Sequence, residues 1–244
     1  KRDYPVVRPE HYEDAEFANV YCFIKELSRR LPEGQTTVVG NGSACVVGSH
    51  GYVIKKDQRF IINSGAASMG YDLPAAIGAC FAEDKKEIIC LSGDGSIQMN
   101  LQELQTIVFH NLPIKIFVIN NQGYHSMRQT QGNLFPEFTT IGVGPESHDL
   151  SFPSMEKIAW AYGMPYVSIK SNKDMDSVLE KVLSMDGYCI CEIFVDTKQK
   201  FEPKSATKRL EDGTLVSPPL EDLAPFLPRE ELEKIMLIPL WPEV

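Results

Sequence analysis

Gly93-Asp94-Gly95-Ser96-Ile97-Gln98-Met99-Asn100 closes one apolar run, and Ile114-Lys115-Ile116-Phe117-Val118-Ile119-Asn120-Asn121 is the next. An acid ends the first run and an amide ends the second. Between them Leu101, Leu104, Ile107 and Val108 recur at helical spacing. A strand, a crossover helix and a second strand give a parallel pair, with both strand tips at the same edge of one sheet. A carboxylate and an amide placed there can share a hard divalent cation, with a diphosphate completing its oxygen shell.

The same alternation extends outward in both directions. Phe17, Val20, Tyr21, Ile24 and Leu27 share a helix face that stops before Pro32-Glu33-Gly34. Strands are expected over 36–39, 60–63, 87–91, 114–119, 165–169 and 188–195. Helices are expected over 69–82 with Pro74 near the start, after Asn100 with Glu103 completing a capping box, over 152–162, and over 174–185. Residues 123–131 read as a loop or short helix. Continuous apolar strands suit a sheet covered on both faces. The expected fold class is α/β: a three-layer αβα sandwich with a six-stranded, mainly parallel sheet. Residues 1–16 read as a linker and 17–196 as the folded domain. Residues 197–244 read as a Pro-rich, irregular tail that wraps the domain and carries one helix near 229–236.

Composition narrows the function classes. The chain has 244 residues, 43% hydrophobic and 23% charged, with a net charge of −9. That is an ordinary soluble composition, and the negative balance argues against a nucleic-acid partner. No apolar run reaches the length of a membrane span and no secretory signal opens the chain, so a cytoplasmic setting is expected. The six cysteines lack metal or disulfide spacing; Cys189 and Cys191 read as buried, reduced thiols. A chain opening on Lys1 reads as a fragment or processed piece. His11, His50, His110 and His148 are given structural roles.

Ligands of open α/β sheets bind at the carboxyl ends of the strands. Four segments fall there: Gly40-Asn41-Gly42-Ser43, Ser64-Gly65, Gly93-Asp94-Gly95-Ser96 and Asn120-Asn121-Gln122-Gly123. Their small residues let phosphate approach backbone N–H groups. Asp94, the Asn121 amide oxygen and the Gly123 carbonyl form a hard-oxygen set that suits Mg²⁺. No G-x-G-x-x-G or P-loop pattern is present, and Asp94 lacks the D-x-D partner of an aspartate-based phosphatase.

Gly93-Asp94-Gly95 followed by Asn120-Asn121 resembles the thiamine-diphosphate signature. Ser64-Gly65-Ala66-Ala67-Ser68-Met69-Gly70-Tyr71-Asp72-Leu73-Pro74, Gln102-Glu103-Leu104 and Leu112-Pro113-Ile114-Lys115 resemble acetolactate synthases and their relatives. The resemblance spans roughly residues 5–200 and covers the diphosphate-binding, C-terminal domain of such enzymes. It implies thiamine diphosphate and Mg²⁺ as cofactors, with Asp94, Asn121 and Gly123 as metal ligands. It implies Asn41, Gly42, Ser43, Gly65, Met69, Gly93, Gly95, Ser96, Asn121, Gly123 and Tyr124 as cofactor-binding residues. Met69 would be the apolar wedge that bends the cofactor, and Gly65 would face its aminopyrimidine. The implied activity is decarboxylation of a 2-oxo acid with transfer or ligation of the resulting two-carbon carbanion. The activating glutamate has no counterpart in this chain. The resemblance places it on a pyrimidine-binding domain of the same or another subunit, implying a homodimer or tetramer and a fragment inactive alone. The resemblance leaves room for FAD in the full-length enzyme.

The departures bear on the substrate. Gly42-Ser43-Ala44-Cys45 stands where acetolactate synthases usually show G-Q-H-Q. Asp72 replaces the usual glycine, and Gly123-Tyr124-His125-Ser126-Met127-Arg128-Gln129-Thr130 stands where such enzymes have a Q-G-M-V run. His125 and Arg128 are candidate substrate contacts, against the alternative that Arg128 pairs with a structural carboxylate and His125 is solvated. The alternatives are a related thiamine-diphosphate enzyme acting on a sugar-linked or other carbonyl, a non-catalytic cofactor-binding subunit, and a Mg²⁺-dependent nucleotide-binding domain.

Overall fold

The computed structural model describes residues 3–138 and 140–241. Positions 1 and 2 of the expected linker and 242–244 of the expected tail lie outside the described residues. Six strands form one sheet: β1 (Thr36–Val39), β2 (Arg59–Ile62), β3 (Ile88–Gly93), β4 (Ile114–Asn120), β5 (Tyr166–Ile169) and β6 (Cys189–Phe194). Their order is β2-β1-β3-β4-β6-β5, and every neighbouring pair is parallel. The sheet is thus wholly parallel. It runs outward in both directions from the β1/β3 pair, so their tips form the topological switch point where such folds hold ligands. β1, β3, β4 and β6 form the buried centre of the sheet, and β2 and β5 lie at its two edges.

The helices are α1 (Val20–Arg30), α2 (Ser43–Gly51), α3 (Asp72–Ala82), α4 (Glu103–His110), α5 (His125–Leu134), α6 (Met155–Ala161), α7 (Met175–Ser184) and α8 (Arg229–Ile235). One core cluster joins Leu73, Ala76, Ile77 and Cys80 of α3, Leu104 and Ile107 of α4, and Met155 and Ala159 of α6 to Ile88, Cys90, Ile114, Ile116 and Ile190 of the sheet. All six cysteines are free, and Cys189 and Cys191 are buried in β6.

Several boundaries differ from the sequence expectation. The first helix begins at Val20 and not at Phe17, because the Asn19 side chain accepts from the Tyr21 and Cys22 N–H groups at 3.0 and 3.3 Å. Ala18 is drawn instead into a parallel bridge with Val195. The helix expected from Met69 begins at Asp72, leaving residues 64–69 exposed. The expected Asn100–Glu103 capping box is absent. Asn100 ends a 3-10 turn (Ser96–Asn100) and its amide donates to the Gly70 carbonyl at 2.7 Å, while Glu103 accepts from Thr106. α2 was not expected: two glycines and a Val-Val pair disfavour a helix locally. Gly48 lets it lie against β2, since a Cβ there would sit 3.3 Å from the Phe60 ring. Within residues 3–16, the 3-10 turn Pro9–Tyr12 stacks His11 on Tyr21 at 4.9 Å, and Asn172 donates to the His11 and Glu13 carbonyls.

The chain divides into two compact units at Gln199–Lys200. The second unit contains α8 and an unexpected two-stranded antiparallel hairpin, β7 (Lys208–Arg209) with β8 (Leu215–Val216). No helix among the described residues is long and apolar enough to cross a membrane.

At the amino end of β4, Lys115 is fully buried. Its ammonium donates to the Met185 and Gly187 carbonyls and lies 3.5 Å from Glu87. It thereby ties the turn between α7 and β6 to the sheet. Lys115→Ala strands two carbonyls and one carboxylate, and is expected to lower unfolding stability by about 2–4 kcal/mol. A denaturant midpoint equal to that of the wild type would contradict this.

Candidate functional site

The strand tips meet in one cavity of about 170 Å³. Its walls come from Asn41, Gly42 and Ser43 beyond β1, from Gly93 at the end of β3 with Asp94, Gly95 and Ser96 beyond it, and from Asn121, Gly123 and Tyr124 beyond β4. Met69 reaches it from the turn before α3. His125, Ser126 and Met127, in the first turn of α5, complete it. Ser126 and Met127 were missed in the sequence; the only signal for them was adjacency to His125.

Asp94 sits 4% exposed at the β3 tip. Its Oδ1 accepts from the Gly95 N–H and its Oδ2 from the Gly123 N–H, both at 2.9 Å. Its own N–H donates to the Ile119 carbonyl at 3.1 Å, so the two strand tips are stapled at Asp94. The Gly123 N–H reaches Asp94 because Gln122 and Gly123 have φ of +56° and +130°. At Gly123 a side chain is also excluded by space, since a Cβ would sit 2.0 Å from the Val143 carbonyl oxygen. A Cβ at Gly95 would lie 2.5 Å from the Tyr124 ring, which itself stands edge-on to Phe152.

Asn121 is 1% exposed and its Nδ2 donates to Ser43 Oγ at 2.6 Å, which ties the β4 tip to the start of α2. The Asn41 side chain accepts from the Gly42 N–H and donates to the Ala67 carbonyl, both at 2.6 Å. Ser96 Oγ accepts from the Gly70 N–H at 3.0 Å. The turn that carries Met69 is thus fastened to two of the three tips.

Two expected residues are not brought into the cavity. Gly65 lies in the exposed 64–69 segment and does not line it. Arg128 does not line it either. Its guanidinium donates to the Asn121 and Gln122 carbonyls at 3.1 and 2.9 Å and pairs with Glu146, so it clamps the 121–123 loop from outside. His125 is not solvated as the alternative had it; it is 4% exposed and lines the cavity. Asp72 is fully buried, accepting from Ser92 Oγ at 2.6 Å and the Leu73 N–H at 2.9 Å, so this departure from the usual glycine serves the β3–α3 contact.

Burial pushes the Asp94 carboxyl up to about 7, against the Gly123 and Gly95 N–H groups and the Arg128 charge, with the Glu192 charge adding to the rise. Such a group calls for a positive counter-charge. No three His, Cys, Asp or Glu among the described residues cluster as a metal site. A cation here would rely on the Asp94 carboxylate, the Asn121 amide oxygen and the Gly123 carbonyl, a donor set that fits a hard ion.

The family model "Thiamine pyrophosphate enzyme, C-terminal TPP binding domain" matches residues 40–193. Among curated proteins, the acetolactate synthase large subunit of Cyanidium caldarium is 36% identical over 151 residues, covering 61% of this chain and 25% of that protein. Acetolactate synthase 2, chloroplastic, of Nicotiana tabacum is 32% identical over 175 residues, 67% of this chain and 26% of that protein. The acetolactate synthase isozyme 2 large subunit of Escherichia coli (strain K12) is 30% identical over 202 residues, 83% of this chain and 36% of that protein. The chain therefore spans about a quarter to a third of the length of these relatives.

The Asp94 environment sets a pH dependence. With the ordinary value 3.8 when unfolded and about 7 when folded, the folded chain binds more protons in between. The stability that Asp94 contributes is then fully present below about pH 4 and is lost as pH rises through about 7, a fall of at most about 4 kcal/mol. Asp94→Asn removes this fall. Urea unfolding without divalent cation at about pH 5 and about pH 8 measures it; an equal pH dependence in wild type and variant would contradict the assignment.

Proposed function

This chain belongs to the C-terminal TPP-binding domain family of thiamine pyrophosphate enzymes, and on that footing we propose that the cavity at the β1, β3 and β4 tips holds thiamine diphosphate through Mg²⁺. The observation that carries the reading is Asp94: a buried carboxylate at a strand tip, in one cavity with Asn121 and Gly123. Asp94, the Asn121 amide oxygen and the Gly123 carbonyl are the cation's protein ligands. The diphosphate lies against Ser96, Gly95 and the first turn of α2, where Gly42 and Ser43 open a nine-residue helix whose free N–H groups favour an anion. Met69, Tyr124 and Met127 supply apolar wall to the cavity. His125 lines the same space and is placed to meet an anionic substrate.

When bound, thiamine diphosphate would supply a thiazolium carbon that is nucleophilic once deprotonated and a ring that serves as an electron sink for decarboxylation of a 2-oxo acid. The whole activity proposed is that of an acetolactate-synthase-like enzyme, a carboligase or decarboxylase. The glutamate that engages the aminopyrimidine comes from another domain of the same or a partner subunit. A second reading, a related enzyme with another carbonyl acceptor, is favoured by the start of α2. There Ser43-Ala44-Cys45 replaces the usual residues, and the Ser43 hydroxyl is engaged by Asn121.

Calorimetry is expected to show thiamine diphosphate binding in the presence of Mg²⁺ and no comparable binding of ATP. Asp94→Asn is expected to weaken it on the order of a hundredfold, the loss of one charge-assisted ligand. Tighter binding of ATP would overturn the cofactor assignment. Full-length enzyme given pyruvate is expected to form acetolactate; retained cofactor binding with no acetolactate would select the second reading.

A further inference from the structure

The loop that carries Asn121 and Gly123 separates two cavities. One is the ligand cavity; the other, of about 410 Å³, has Asp94, Asn120, Gln122, Tyr166 and Glu192 among its walls. Glu192 lies on β6 opposite Val118 of β4 and is 4% exposed. Both of its oxygens are engaged. Oε1 accepts from Asn120 Nδ2 at 2.6 Å, and Oε2 accepts from the Tyr166 hydroxyl at 2.5 Å. The other end of the Asn120 amide, Oδ1, accepts from the Gln122 N–H at 3.0 Å. Gln122 is the left-handed residue between Asn121 and Gly123. A relay of bonds therefore runs from the edge strand β5 through Glu192 and Asn120 to the turn that aims Gly123.

A buried carboxylate is costly, and a mere sheet staple between β4, β5 and β6 would be served as well by apolar side chains. A group that orients ligands from behind has a different reason to be there: partners of metal ligands fix ligand geometry without touching the metal.

We propose that Glu192 is a positioning residue, which through Asn120 holds the 120–123 loop in the conformation that presents Asn121 and Gly123 to the cation. This rests on the Mg²⁺ reading given above. It predicts that cutting the relay weakens the cation while leaving the pocket's own residues in place.

The test uses the full chain with thiamine diphosphate and Mn²⁺ as the probe, bound Mn²⁺ being read by electron paramagnetic resonance. Glu192→Ala is expected to weaken Mn²⁺ about 10–100-fold, alter the bound-ion spectrum and speed amide exchange at residues 121–124. Glu192→Gln keeps an oxygen for Asn120 and is expected to stay within about threefold of wild type. Wild-type affinity in Glu192→Ala overturns the proposal, as does a loss in Glu192→Gln equal to that in Glu192→Ala. Should Glu192→Ala fail to fold, Asn120→Ala cuts the same relay while leaving Glu192 bonded to Tyr166, and unchanged Mn²⁺ affinity there overturns it. Asp94→Asn separates the two levels. If that variant binds Mn²⁺ as tightly as wild type, the metal reading fails and this inference falls with it. If it loses the ion while Glu192→Ala and Asn120→Ala keep it, only the positioning role fails.

Discussion

The two N–H groups that hold the Asp94 carboxylate, from Gly95 on its own strand tip and Gly123 on the next, organise everything around them. A buried carboxylate without a counter-ion costs several kcal/mol, and two neutral donors recover only part of it. The deficit is visible as the raised proton affinity of Asp94. Asp94 is thus held in place by the main chain yet left short of positive charge, and an arriving cation would relieve that shortage.

The Gly123 donor points at Asp94 only because the turn at Gln122 and Gly123 is left-handed, a conformation the chain does not hold unaided. It is determined here from several sides. Arg128 grips the Asn121 and Gln122 carbonyls and is itself held by Glu146. Asn120 binds the Gln122 N–H. The Tyr124 N–H donates to the Val143 carbonyl at 2.7 Å. Arg128 therefore acts on the site through the backbone of the loop. That places it outside the cavity, although its charge and position in the chain suggest a substrate contact.

Much of the sheet was legible in the sequence because its strands are short apolar runs with polar, glycine-bearing ends. Those are local properties, and in β1, β3, β4 and β6 burial enforces them. The elements that were not legible depend on contacts with distant parts of the chain. α2 has the composition of a turn, and it packs against α1 and β3, distant in the sequence, as well as against β1. Asn100 has the residue pattern of a cap but spends its amide on Gly70, thirty residues away. The short hairpin at Lys208–Arg209 and Leu215–Val216 has too few residues to show a period.

At the site the same division holds. Asp94 at the end of one apolar run and Asn121 at the end of the next follow from the order of residues alone, because parallel strands bring successive tips to one edge. Which neighbours join them is a matter of three-dimensional packing. His125 turns inward, Arg128 stays outside, Gly65 is left on an exposed segment, and Glu192 arrives from a strand seventy residues further along. Strand order and side-chain direction are set by how helices and strands fill space together, and no single stretch of the chain contains that information.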